Sequence, residues 1–152
     1  MIEAWKLIRT RVPRAQLVFA GRGPAEAKLR GLAPEAHFTG WVDRETLARW
    51  FRASSLLIFP SRFDTFGCAV LEALSCGLPV ACYPVKGPAD LVDDEVNGLV
   101  CKDPADMAER IVAHLAAPAG RHEAFQHRAL GTALRYQAED IMDRLLADVG
   151  MS

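Results

Sequence analysis

Residues 56–80 read LLIFPSRFDTFGCAVLEALSCGLPV, and two structural patterns alternate within this stretch. The apolar run Leu56–Phe59 predicts a strand that is covered on both faces, as the strands of a parallel sheet are. A helix is predicted over Gly67–Ser75, with Gly77 as the residue that stops it. Val80–Cys82 predicts a second buried strand. A strand, a helix and a strand in direct succession indicate a parallel α/β fold.

The same alternation continues on both sides of this stretch. Apolar spacing and capping residues predict helices over 1–11, 25–30, 44–53 and 104–115, and apolar runs predict strands at 16–20, 37–38 and 99–101. Asp43 and Asp103 are expected to cap two of the helices, and Gly87-Pro88 to open a short one. Because crossovers between parallel strands are right-handed, we expect an α/β, doubly wound parallel sheet. Residues 1–152 form a single domain in this interpretation, with 121–152 as a C-terminal helical extension.

The composition is that of a globular protein without an electrostatic preference for nucleic acid. Of the 152 residues, 51% are hydrophobic and 24% are charged, and the formal net charge is −1. The charge is uneven, since residues 1–62 hold 11 Lys and Arg against 5 Asp and Glu, whereas residues 63–152 hold 7 against 14. Two interpretations stay open: two solvated faces of one domain, or a basic side that binds phosphates.

Cysteine usage and hydropathy bear on the cellular compartment. Cys68, Cys76 and Cys82 stand in apolar contexts that predict buried, reduced thiols, which are typical of a cytoplasmic protein. Met1–Arg14 is basic and lacks the apolar centre of a signal peptide. The uncharged segment Ala73–Val85 is too short to span a bilayer. The sequence contains no Cys-x-x-Cys motif and no paired set of histidines, so it predicts no metal site.

The loop Pro60–Gly67 and the helix after it carry the most informative polar residues. Asp64 lies in the loop, and Glu72 interrupts an otherwise apolar helix. A carboxylate is costly to bury without a partner, and a helix N-terminus attracts phosphate. The two carboxylates could accept hydrogen bonds from sugar hydroxyls, while the amides at the start of the helix hold a diphosphate. This combination predicts a nucleotide-sugar site. The alternative is a loop acid followed by a glutamate that faces solvent.

Two further loops follow predicted strands, where α/β sheets bind their ligands. The amides of Gly21–Pro24 could face a phosphate, but this loop lacks the third glycine of a dinucleotide fingerprint, and Pro24 removes one donor. A tight turn between strand and helix is the alternative. Lys86 lies in the third loop and could add an ammonium group, but that loop has no specific pattern.

Several spaced motifs agree with one another. Asp64 and Glu72 are separated by seven residues, frame Phe66-Gly67, and continue into Leu-Glu-Ala and the Gly-x-Pro-Val of 77–80. Four further landmarks occur in order, namely Gly21-x-Gly23-Pro24, Phe38–Trp41, Gly87-Pro88 and Asn97–Val100. Together these motifs resemble the family-four retaining glycosyltransferases, over roughly residues 1–115.

The resemblance implies the C-terminal, donor-binding half of a GT-B enzyme, with a Rossmann-like fold. It implies that Asp64 and Glu72 are the catalytic pair, with Asp64 on hydroxyls of the transferred sugar and Glu72 on the ribose. The other residues implied to bind the donor, a UDP- or GDP-sugar held without a metal ion, are Gly21, Gly23, Thr39, Gly40, Trp41, Arg62, Phe66, Gly67, Val70 and Leu71. Among these, the amides of Phe66 and Gly67 are expected against the sugar and those of Val70 and Leu71 near the diphosphate. Phe38–Trp41 is expected near the base.

Asp64 occupies a position where the family more often has Glu. The Asp-Thr-Phe-Gly form resembles the branch that uses GDP- or UDP-hexoses on lipid acceptors, often mannosyltransferases. The expected function is therefore donor binding for the transfer of a hexose, with retention, to a lipid or saccharide acceptor. The alternative is a non-catalytic nucleotide-sugar-binding or interaction module.

The resemblance also implies parts that the sequence does not contain. The family's Gly-Arg…Lys clamp on the diphosphate, the first central strand of the sheet and the acceptor-binding N-terminal domain would precede Met1. Arg22, Arg62 and Lys86 are candidates for partial replacement of that clamp. We therefore expect no turnover by the chain alone, self-association through open sheet edges, and peripheral contact with the inner membrane face only through a complete enzyme.

Overall fold

A computed structural model describes residues 1–136. In chain order the helices are α1 (Ile2–Arg11), α2 (Glu26–Leu32), α3 (Arg44–Ala53), α4 (Cys68–Ser75), α5 (Pro88–Leu91), α6 (Pro104–Leu115) and α7 (Ala119–Leu134). The strands are β1 (Val18–Ala20), β2 (His37–Gly40), β3 (Leu57–Phe59), β4 (Val80–Cys82) and β5 (Gly98–Val100). Strands and helices alternate up to α6, which confirms the α/β class predicted from the sequence.

Two predicted helix caps are confirmed by their hydrogen bonds. Asp43 accepts a bond of 2.7 Å from the Thr46 amide at the start of α3. Asp103 accepts bonds of 2.8 and 2.9 Å from the Ala105 and Asp106 amides at the start of α6. These amides have no partner inside their helices, so the two aspartates define where α3 and α6 begin.

The strands form two parallel sheets, whereas the sequence pattern alone predicts one. β1 pairs with β2, and the second sheet has the order β3-β4-β5. In the second sheet Leu57, Val80 and Gly98 lie side by side across the three strands. Among the described residues, one edge of β1 and one edge of β3 consequently have no strand partner.

Two apolar clusters cover opposite faces of the sheets. The first contains Ala81 of β4 and packs against α1, α6 and Ala33 at the end of α2. The second contains Val80 and Cys82 of β4 and packs against α4 and α7. Successive residues of a strand point to opposite faces, so the two clusters lie on the two sides of β4.

This arrangement identifies the inner strands. The crossover from β1 to β2 contains α2 and reaches the first face at Ala33, directly after that helix, and the crossover from β3 to β4 runs through α4 on the second face. Right-handed crossovers on opposite faces lead outward in opposite directions. β2 and β5 are therefore the outer strands, and the doubly wound order has its switch point between β1 and β3.

The open edge changes the burial of β3. All three residues of β3 are half-buried, whereas all three residues of β4 are buried. The run Leu56–Phe59 is predicted to be covered on both faces. Apolar residues do pack against both faces of β3, but its open edge leaves the strand half-buried. Strand β4 differs because it has a partner on each side.

α7 is a part of the core. Its residues Phe125, Ala129 and Thr132 are buried, and it packs along α4. Residues Ala119–Leu134, which include the start of the predicted C-terminal extension, form one continuous helix. The remainder of the predicted extension, residues 137–152, lies outside the described residues.

The thiols are only partly as expected. Cys82 is buried and Cys76 is half-buried, but Cys68 is exposed, so the prediction of burial is wrong for Cys68. Cys68 is the first residue of α4 and lies on the face of that helix that contacts solvent. No helix within residues 1–136 has the length and apolar character needed to cross a membrane.

Candidate functional site

The loops at the carboxyl ends of β1 and β3 flank the switch point. Ligands of open α/β sheets bind in the crevice at this position. The loop after β1 is Gly21–Pro24, and the loop after β3 is Pro60–Gly67. The residues predicted from the sequence therefore lie where the topology favours a binding site.

Asp64 organises the loop between β3 and α4. Its Oδ1 atom accepts hydrogen bonds from the Phe66 amide at 3.0 Å and the Gly67 amide at 2.7 Å. These are the two amides that are expected against a sugar. Both amides donate to Asp64, and the second carboxylate oxygen of Asp64 has no hydrogen bond within the described residues.

Two glycines let this loop pack closely. Gly67 precedes α4 with a φ of 81°, a left-handed conformation that glycine adopts at little cost. A Cβ atom on Gly87 would lie 2.8 Å from the Phe66 amide nitrogen, so the loop after β4 touches the backbone of the β3–α4 loop. Gly87 also donates its own amide to Asp90 at 3.1 Å.

The amides free to bind an anion differ from those implied by the resemblance. Val70 and Leu71 donate to the Gly67 carbonyl at 2.8 and 3.1 Å, so their amides are already paired. Cys68 and Ala69 are the first two residues of α4, and their amides make no hydrogen bond among the described residues. The sequence reasoning missed these two amides, although the absence of a capping side chain before Cys68 was a usable signal.

Glu72 lies on the solvent face of α4. The helix buries Val70, Ala73 and Leu74, and Cys68 lies one turn before Glu72 on the exposed side. The Glu72 carboxylate has no hydrogen bond or ion pair within the described residues. Glu72 therefore faces solvent and is accessible to a ligand.

Three cations lie at the carboxyl ends of the strands. The Arg62 guanidinium carbon lies 4.6 Å from the centre of the Tyr83 ring, which holds this arginine over the loop after β4. Arg22 lies against the Gly40 backbone, since a Cβ atom on Gly40 would be 3.4 Å from its Nε. Lys86 is exposed in the loop after β4. Within residues 1–136 none of the three pairs with a carboxylate, so their charge is available to an anion.

The loops after β1 and β2 meet each other. The Gly21 amide donates to the Gly40 carbonyl at 2.8 Å, and the Thr39 hydroxyl donates to the same carbonyl at 2.9 Å. The Trp41 side chain is 75% exposed. A cavity of about 210 Å³ lies beside Gly21 and Gly23, over the stacked rings of Phe19 and Phe38.

The amino ends of the strands have the opposite electrostatic character. Arg110 bonds Asp94 and Glu95, both at 2.6 Å, and Arg121 also bonds Glu95. These ion pairs join the turn before β5 to α6 and α7. The arginines here are paired with carboxylates, whereas the three cations at the carboxyl ends of the strands are not.

His114 is the unusual polar group near the amino ends. It is 1% exposed, and neither ring nitrogen makes a hydrogen bond of normal geometry. Its ring centre lies 4.6 Å from that of His122, which lines a cavity of about 410 Å³ next to Ser55 and Pro79. No group of three or more His, Cys, Asp or Glu side chains in the described part of the chain is arranged to hold a metal ion.

We expect acid to destabilise the fold through His114. Burial lowers the pKa of His114 from 6.5 to about 4, and the nearby charges of His122 and Arg121 contribute, while Glu95 and the Ser55 backbone oppose the shift. The unfolded chain therefore takes up the proton first. Stability is fully present above about pH 6.5 and is lost toward pH 4, by up to roughly 3 kcal/mol. Denaturant unfolding between about pH 7.5 and 5 measures this loss.

Two variants isolate the effect of His114. His114→Leu removes both unbonded nitrogens, so we expect it to gain about 1 kcal/mol near neutral pH and to flatten the pH dependence. His127 is exposed, and His127→Gln should keep the wild-type dependence. Equal acid sensitivity in the wild type and His114→Leu would contradict the assignment.

Comparison with known proteins identifies a family and relatives of this chain. A family model described as glycosyl transferases group 1 matches residues 1–117. A GDP-mannose-dependent alpha-mannosyltransferase of Corynebacterium glutamicum is 38% identical over 98 residues, which are 64% of this chain and 24% of that protein. D-inositol 3-phosphate glycosyltransferase 1 of Catenulispora acidiphila is 41% identical over 103 residues, which are 66% and 24% of the two chains. The chain spans about a quarter of the length of these relatives.

A solved structure has the same fold. TarM of S. aureus, crystallised in a complex that contains UDP, superposes with a TM-score of 0.86 at 20% identity. The superposition covers 96% of this chain and 31% of TarM. At this identity the likeness concerns the fold, and it includes both sheets and α7.

Proposed function

The chain belongs to the glycosyl transferases group 1 family, and from this premise we propose that it binds the nucleotide-diphosphate-sugar donor of a retaining glycosyltransferase. The donor is a UDP- or GDP-hexose, held without a metal ion. The acceptor is a lipid or a saccharide, and it is bound by another domain. The observation that carries this proposal is the set of unpaired cations and free amides around the loop between β3 and α4.

The diphosphate is the part of the donor that the geometry supports best. Free amides at the start of α4 point out of a helix N-terminus, where the partial positive charge favours phosphate. Arg62 is held in place by Tyr83, and Arg22 and Lys86 come from neighbouring loops. In the transfer, the bond between the anomeric carbon and the β-phosphate oxygen breaks and a bond to the acceptor oxygen forms on the same face. The acceptor proton passes to the departing phosphate, whose growing charge these cations stabilise.

Asp64 and Glu72 have different tasks in this proposal. Asp64 keeps its loop in shape with Oδ1 and offers its second oxygen to hydroxyls of the sugar. Glu72 lies one turn into α4 and accepts hydrogen bonds from the ribose. Its exposure supports this task, since a ligand can reach the carboxylate without a rearrangement of the core.

The relatives support a particular donor class. One is GDP-mannose-dependent by name, and another is named a D-inositol 3-phosphate glycosyltransferase. The Asp-Thr-Phe-Gly sequence at Asp64 points toward the same mannosyltransferase-like branch. GDP-mannose is therefore the first donor to test, and UDP-glucose represents the UDP-hexoses for comparison.

We expect Glu72→Gln to lower the affinity for the nucleoside diphosphate about tenfold or more, with little change in melting temperature. Glutamine keeps the volume and removes a charge-assisted acceptor, which is worth roughly 1.5–3 kcal/mol. Titration calorimetry with GDP, UDP and their sugar derivatives measures the affinities.

Glu123→Gln is the matched control. Glu123 is also an exposed helical glutamate, but it lines the cavity at the amino ends of β3 and β4. This variant should bind as the wild type does. Unchanged affinity in Glu72→Gln would remove Glu72 from the site, and no binding of either nucleotide sugar to the wild type would refute the proposed function.

A further inference from the structure

The side chain of Phe66 contacts an aromatic residue from the far end of the chain. The centres of the Phe66 and Tyr136 rings are 6.2 Å apart, and the ring planes meet at 71°. Edge-to-face pairs of aromatic rings with centres 4.5–7 Å apart attract each other beyond their burial. Tyr136 is the second residue after α7, so the end of this helix lies near the loop between β3 and α4.

The packing of α7 explains how Tyr136 comes to this position. α7 begins beside the cavity at the amino ends of β3 and β4, and its 16 residues extend for about 24 Å. Along this path Ala129, Ala133 and Tyr136 share an apolar cluster with Val70 and Leu74 of α4. The helix therefore connects the two ends of the sheet, with Tyr136 at the carboxyl end.

The backbone of Phe66 is held from two directions, whereas its half-exposed ring has one aromatic contact. The amide donates to Asp64 at 3.0 Å, and Gly87 packs against the same nitrogen. The Phe66 side chain is 43% exposed, and Tyr136 is the aromatic residue that contacts it. Phe66 therefore contacts Tyr136 through its ring and Asp64 through its amide.

We infer that Tyr136 is a positioning residue for the sugar end of the donor site. It holds the Phe66 ring, and so keeps the Phe66–Gly67 segment and Asp64 in the arrangement that receives the sugar. The contact does not involve the free amides at the start of α4 or Arg62, which bind the diphosphate. Tyr136 consequently affects recognition of the sugar more than recognition of the nucleotide. This inference rests on the proposed function.

The test compares Tyr136→Ala with Tyr136→Phe. Calorimetry with GDP-mannose and UDP-glucose, set against GDP and UDP, separates the sugar from the nucleotide. For Tyr136→Ala we expect the sugar nucleotide to bind about two- to tenfold more weakly, with unchanged binding of the diphosphate. Tyr136→Phe keeps the ring edge and should bind as the wild type does. An equal loss for both ligands, or no loss at all, would overturn the inference.

A second variant distinguishes loss of the ring contact from a general loss of stability in Tyr136→Ala. Phe66→Leu removes the contact from the other side and should reproduce the selective loss. In the double variant the two losses should not add, because each removes the same contact. Additive losses would show that Tyr136 acts independently of Phe66 and would overturn the inference. A wild-type chain that binds neither sugar nucleotide would instead refute the proposed function, and the inference with it.

Discussion

Replacement of Gly98 by alanine is expected to lower the free energy of unfolding by about 3 kcal/mol. A Cβ atom at this position would overlap the Val80 carbonyl oxygen and would lie 2.7 Å from a methyl carbon of Val92. The Val80 carbonyl belongs to the central strand of its sheet and cannot move without breaking the pairing with β3 or β5. Since domains are stable by only about 5–15 kcal/mol, this loss is large. Denaturant unfolding followed by circular dichroism measures it.

Gly131→Ala is the control for this experiment. Gly131 lies within α7, and a Cβ atom there would meet no atom within 4 Å. We expect this variant to gain up to about 1 kcal/mol, because alanine favours the helix over glycine. A Gly98→Ala variant as stable as the wild type would show that the register between Val80 and Gly98 is wrong.

Asp64→Asn is expected to weaken binding of the nucleotide sugar about tenfold or more, toward the affinity of the bare nucleoside diphosphate. The asparagine Oδ1 atom can still accept from the Phe66 and Gly67 amides, so the loop keeps its shape. What the variant loses is the negative charge that receives the sugar hydroxyls. Calorimetry with GDP-mannose and GDP, or with UDP-glucose and UDP, measures both affinities.

Asp64→Ala separates the two tasks of this residue. It releases both amides as well as the charge, so we expect the loop to lose its shape and the nucleotide sugar to bind more weakly than to Asp64→Asn. If Asp64→Asn weakens the diphosphate and its sugar derivative equally, Asp64 only holds the loop. In that case a different group must select the sugar.

Local sequence was sufficient to place most of the helices and strands. Asp43 and Asp103 cap their own helices within three residues along the chain, so their effect needs no tertiary context. The run Leu56–Phe59 and the glycines at 67 and 77 likewise set the limits of β3 and α4. The motif around Asp64 and Glu72 was also sufficient to identify the family.

The local geometry of the candidate site was less accessible from the sequence. The helix α4 begins directly after Gly67, which adopts a left-handed conformation. The unpaired amides are consequently those of Cys68 and Ala69, whereas the resemblance implied those of Val70 and Leu71. Cys68 and Glu72 are exposed because α4 buries its opposite face against β4 and α7. An apolar sequence around an acid does not reveal which face of the helix is covered.

Long-range packing alone decided the remaining features. The sequence predicts parallel strands, but the break between β1 and β3 follows from which strands pair, and pairing joins residues distant in the chain. Arg62 contacts the ring of Tyr83, which lies 21 positions later in the sequence. Phe66 contacts the ring of Tyr136, which lies 70 positions later. Helix periodicity and caps are encoded within a few residues, so they can be read from the chain directly. Contacts between distant side chains depend on how whole helices dock, and no local pattern contains that information.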